Sequence, residues 1–144
     1  LSAAELRSRR DIGLDSYAKI LNIEAETMLM MVRRQILPAV IRYSGDLSSS
    51  LLKAKEAGCP MPACSGLLRS LNSQTEDLLR AAETLGQILS SRLSDSDPLA
   101  AAAYMHDRIL PAMREVRRCA DALEEITDKE IWPFPTYDRL LFSI

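Results

Sequence analysis

One histidine, three cysteines and the Glu24–Glu26 pair are the side chains of this 144-residue chain whose types could carry chemistry. His106 as a general base would need a nucleophile or carboxylate within hydrogen-bond reach. Asp107 follows it directly and so points elsewhere on a helix. His106 itself falls on an apolar stripe, where it reads as a buried or boundary histidine bonded to a neighbouring helix. Cys59-Pro-Met-Pro-Ala-Cys64 has the look of half a metal site, but zinc needs a second pair of ligands. Only Cys119 and His106 remain to supply one. The stretch reads better as a proline-set turn with two free thiols. Glu24 and Glu26 are two apart on a helix and diverge, so they fit a solvated or ion-paired face rather than a metal site. The run Arg7-Ser8-Arg9-Arg10 sits in a chain of net charge -2, which argues against nucleic acid as the main partner. No set of residues converges on one reaction. The expectation is no catalytic, cofactor-binding or metal-binding residue in this chain.

The elements that would position these groups are helices. Aromatics make up only 5% of the chain, so a core must come from Leu, Ile, Ala and Met, which suit helices better than strands. The chain is long enough for one domain with a real core. An odd number of cysteines fits a reduced, cytoplasmic protein. No apolar run approaches the ~20 residues of a membrane span, and no secretory signal precedes the first helix. Opening at Leu1, the chain reads as a piece of a longer product.

Residues 17–43 form the organising stretch. Leu14, Ala18, Leu21, Ala25, Met28, Val32 and Ile36 alternate by four and three and share one side of a helix. Ser2 and Glu5 make a capping box before it, and Gly58 offers a left-handed C-cap after it. The first helix is therefore expected over 2–58, kinked at Pro38. A second is expected over 65–93, with Leu68, Leu71, Thr75, Leu78, Ala82, Leu85 and Leu89 as its stripe. A third is expected over 98–127, capped by Asp97, with Pro98 in its first turn. Its stripe is Leu99, Ala102, His106, Ile109, Met113, Val116, Ala120 and Leu123.

Two features stand out in this all-α, up-down-up bundle. Ile36-Leu37-Pro38-Ala39 repeats as Ile109-Leu110-Pro111-Ala112. Kinks at a similar level would let the parallel first and third helices bend together around the second. The first helix, ~55 residues and about 80 Å if straight, also outruns its partners. Residues 32–58 are expected in the bundle. Residues 6–29 then need other cover: the chain's tail, a second copy of the chain, or a missing part of a larger protein.

The tail, 128–144, holds Trp132-Pro-Phe134-Pro and Tyr137 to Phe142. Alternating prolines exclude helix at 132–135, so the tail is expected to cross the surface extended with its rings buried. Residues 137–142 suit a short closing helix. This tail resembles the C-terminus of type III glutamine synthetases, which end in a W-P-x-P-x-Y-x-x-L-L-F pattern. Other stretches are similar to that family: Glu5-Leu6-Arg7-Ser8-Arg9, Ile23-Glu24-Ala25, the Ile36 to Tyr43 stretch and Ala120-Asp121-Ala122-Leu123-Glu124. Arg10 stands where the family has tyrosine, and Asp138-Arg139 varies a position that often carries glycine.

The resemblance implies the C-terminal helical domain of a large cytoplasmic oligomer. The parent would join ammonia to glutamate using ATP and Mg or Mn. Its catalytic residues, nucleotide site and metal-binding glutamates belong upstream, so none carries onto positions here. The implied partners are the upstream catalytic domain and neighbouring subunits, with self-association of the separated piece through residues 6–29. The competing reading is a free-standing helical protein–protein interaction module. A small metal or acid–base enzyme built on His106 and the cysteines ranks last.

Overall fold

The computed structural model describes residues 2–92 and 97–135 of the chain. They form three helices, with no strand among the described residues. Helix α1 spans residues 3–56, α2 spans Pro62–Ser90, and α3 spans residues 98–126. The start of α1 carries the capping box: Glu5 N–H donates to Ser2 Oγ at 3.1 Å, and Ser2 N–H to the Glu5 carboxylate at 3.3 Å. At its end Gly58 adopts φ +80°. Cys59 N–H reaches back to Ala54 O at 2.9 Å and Gly58 N–H to Lys55 O at 3.1 Å, a Schellman turn that satisfies the last carbonyls. Helix α2 starts three residues earlier than its stripe suggests, because Pro62 fits a first helical turn, where no N–H is needed. Asp97 caps α3 by accepting from Leu99 N–H at 3.1 Å.

The repeated Ile-Leu-Pro-Ala has one structural meaning. A five-residue π turn precedes each proline, Val32–Ile36 in α1 and Met105–Ile109 in α3. Leu37 N–H bonds Val32 O, and Leu110 N–H bonds Met105 O, each five residues back. A proline in a regular helix clashes with the carbonyl four residues behind it and gives it no donor. Widening the preceding turn by one residue moves that carbonyl aside, and the helix continues.

Helix α2 runs back along α1 and packs on both other helices, and α3 runs parallel to α1. Each helix contributes one row to a shared core: Leu21, Ala25, Leu29, Val32 and Ile36 from α1, Leu71, Leu78 and Leu85 from α2, Ile109, Val116 and Leu123 from α3. Leu71, Leu78, Leu85, Ile109 and Leu123 are completely enclosed.

Three expectations are corrected. Bundle cover is centred further toward the N-terminus of α1 than residues 32–58. The start of α3, Pro98–Tyr104, packs against Ala3–Met31, and Leu21 is the first buried residue. The cause is the length of α2. Its 29 residues carry the chain back until Gly86 faces Leu29 and Arg92 bonds Asn22, so α3 begins beside the N-terminal half of α1. For the same reason the two proline turns are staggered. The π turn of α1 lies alongside Met113, Val116 and Ala120, whereas that of α3 packs on regular helix in α1. By helical rise, Pro111 sits roughly 15 Å before Pro38 along the bundle. Finally, Leu99 and His106 are exposed, and Met105 takes the stripe position at the π turn, 2% exposed.

After Thr127 the chain leaves the helix and turns on Asp128, whose carbonyl accepts from Ile131 and Trp132 N–H at 3.0 and 2.9 Å. Trp132 is buried against the core and meets Phe134 edge-on, ring centroids 6.3 Å apart. The aromatic tail therefore covers the seam between α1 and α3 as far as Pro135. The expected closing helix at 137–142 lies outside the described residues.

Candidate functional site

The groups that could do chemistry are kept apart. His106 projects from α3 with two-thirds of its side chain in solvent, and its Nδ1 lies 3.0 Å from Asp107 Oδ1. The two sequence neighbours meet outside the bundle, contrary to the expectation that they diverge. Cys59 is exposed in the α1–α2 turn, Cys64 is half-buried in the first turn of α2, and Cys119 is buried on α3; all three are free thiols. Among the described residues, no three of His, Cys, Asp and Glu gather closely enough to hold a metal ion. Glu24 and Glu26 are both exposed, and Glu26 accepts from Asn22 Nδ2 at 3.4 Å. Arg7, Arg9 and Arg10 are exposed, with Arg10 paired to Asp11 at 3.0 Å, as a solvated helix face requires.

One polar cluster was not singled out by sequence. In a cleft of about 340 Å³ between α2 and α3, Asp77, Arg80 and Thr84 face Glu115 and Arg118. Arg118 forks onto Glu115 with bonds of 3.0 and 2.6 Å. Those hydrogen bonds hold the Glu115 carboxyl below its ordinary range. The adjacent Cys119 Sγ lies 3.7 Å from Glu115 Oε1, and burial pushes its thiol up. A thiol held neutral is a poor nucleophile, so the cluster reads as an ion pair over a core cysteine rather than a reactive centre. The i,i+3 spacing of Glu115 and Arg118 was the available signal.

The largest unexplained feature is apolar. Ile12, Ile20, Ile23 and Met30 of α1 are 65, 56, 62 and 48% exposed. At 3.6 residues per turn they fall on the side of the helix away from Ala25 and Val32, the core row. Residues 12–30 of α1 thus carry apolar side chains on two faces. One face meets α3, and the other stands about half exposed or more among the described residues. A groove of about 690 Å³ adjoins it, lined by Ile23, Met28, Met31, Met113, Trp132 and Phe134 among others. No described helix is long and apolar enough to cross a membrane.

Comparison with known proteins points the same way as the tail. A family model described as glutamine synthetase C-terminal domain matches residues 1–55, close to the bounds of α1. A glutamine synthetase of Butyrivibrio fibrisolvens is 29% identical over 97% of this chain and 20% of its own length. The type-3 glutamine synthetase of Dictyostelium discoideum is 28% identical over 99% of this chain and 20% of its own. A glutamine synthetase of Bacteroides fragilis is 23% identical over 96% of the chain, again 20% of its own. The chain spans about a fifth of the length of these relatives. No solved structure matches.

Proposed function

We propose, for a chain that matches the C-terminal domain of type III glutamine synthetases, that it is a structural and assembly domain of such an enzyme. The parent enzyme joins ammonia to glutamate at the expense of ATP, with Mg or Mn, as a cytoplasmic oligomer. Among the described residues the acidic groups are dispersed, and no three of His, Cys, Asp and Glu gather closely enough to hold the metal. No step of the reaction is assigned to them.

The observation that carries the reading is the reach of α1 beyond its own cover. None of residues 3–20 is buried, although Leu6, Ile12, Tyr17 and Ile20 lie among them. A helix of that composition is built to be packed against something else. The upstream catalytic domain and neighbouring subunits are the partners of that surface. The separated chain would self-associate through residues 6–29 only at high concentration.

The test is ATP-dependent glutamine formation by the complete polypeptide and by the 144-residue chain, with subunit assembly followed by sedimentation. The complete polypeptide should make glutamine, and its truncation before α1 should impair assembly. The 144-residue chain should make none. Turnover by the chain alone would overturn the reading.

A further inference from the structure

We infer that the outward face of α1, centred on Ile20 and Ile23 and flanked by Ile12 and Met30, is the seat of the upstream part of its own polypeptide rather than of a second copy of this chain. The inference rests on the reading of the chain as one domain of a longer enzyme, and it names the occupant and the residues. These four side chains stand 48–65% exposed on the face away from the core row. On one flank Lys19 is already paired with Asp15 at 2.7 Å, and Glu26 with Asn22. On that flank the charged groups are satisfied within α1, whereas the apolar row stays about half exposed or more among the described residues.

Area separates the two occupants. Four half-exposed aliphatic side chains offer on the order of 400 Å² per partner, about half of what each side of a standard stable interface buries. Two free copies meeting through this row would hold together weakly. A covalently linked neighbour has no such requirement, because the linker supplies an effective concentration in the millimolar range and a small apolar patch then suffices. The relatives extend well beyond the matched fifth. The family model that describes a C-terminal domain matches residues 1–55, so α1 is the element that adjoins the rest of the parent chain. The patch is centred roughly 25–30 Å along that helix from Ala3, a distance that a folded domain attached at its start can span.

The experiment compares hydrogen exchange of residues 12–30 in the complete polypeptide and in the 144-residue chain, each with and without Ile20→Asp/Ile23→Asp. In the complete polypeptide these amides should exchange at least about tenfold more slowly than in the chain alone, with α2 unchanged. The double substitution should remove that slowing. It should leave the thermal unfolding of the 144-residue chain within about 2 °C, since both side chains are more than half exposed and neither belongs to the buried core. If the substitution unfolds the chain, Ile12→Asp/Met30→Asp serves the same comparison. Equal exchange in the two contexts would overturn the inference. So would slowing in the isolated chain that grows with protein concentration at micromolar levels, which would assign the face to a second copy. Absence of glutamine formation by the complete polypeptide would overturn the parent activity alone, because the exchange comparison does not depend on it.

Discussion

Replacing Trp132 with alanine tests whether the tail is part of the fold. The indole is 5% exposed, lies in the hydrophobic core cluster, and meets Phe134 edge-on at 6.3 Å. Truncating a buried aromatic to alanine costs about 3–5 kcal/mol. The groove under Trp132 is open along one side, so the short tail can relax, which favours the lower end of that range, ~3 kcal/mol. Spread over a urea dependence of roughly 1–3 kcal/mol per molar, the midpoint should fall by about 1–3 M. Far-UV circular dichroism is the appropriate probe, because the substitution removes the only tryptophan. Leu52→Ala is the control: Leu52 is 59% exposed on α1, and its loss should cost under ~0.5 kcal/mol. If Trp132→Ala is no worse than Leu52→Ala, the tail is not holding the α1–α3 seam, and the burial argument fails.

Glycines give a pair of opposite sign. At Gly45, inside α1, an added methyl meets open space, so Gly45→Ala should raise stability by about 0.5–1 kcal/mol. Gly58→Ala places a Cβ at φ +80° and should lower it by about 1 kcal/mol, both read by thermal unfolding. Thiol titration with a disulfide reagent at neutral pH should find Cys59 fast, Cys64 slower, and Cys119 unreactive until denaturant is added. The Glu115 carboxyl is held below its ordinary value of 4.5, so the stability it lends is complete above that value and is lost as pH falls through the lowered one. Wild type and Glu115→Gln should therefore converge only below pH 4.5, with the small difference above it reduced further by salt.

Much of the fold could be read before the structure, because its determinants are local. The capping box at Ser2–Glu5, the Asp97 cap and the left-handed Gly58 are each decided within a few residues. The stripe of α2 is likewise a direct consequence of helical period, with Leu71, Leu78 and Leu85 fully enclosed. The wide turns were legible only as prolines in helices. A kink and a π turn both relieve the clash, and the choice depends on packing around the turn. His106 was misplaced for the same reason, since Met105 takes the core position once the turn widens. The extent of cover on α1 was beyond the pattern altogether. It depends on how far α2 carries the chain back, fixed by packing such as Gly86 on Leu29. The outward row Ile12, Ile20, Ile23 and Met30 was present in the sequence. It was hidden by the assumption that a helix has one apolar face.

The stagger of the two proline turns has a mechanical consequence. A wide turn is the most compliant cross-section of a helix, and two at one height would make a joint. Here each compliant section is braced by unbroken helix beside it: the α1 turn by the regular run after Pro111, the α3 turn by the regular run of α1. The bundle then has no plane of weakness and behaves as a beam. A force applied to the projecting end of α1 is transmitted along its axis toward the α1–α2 turn, and the domain moves as one body with whatever holds that end.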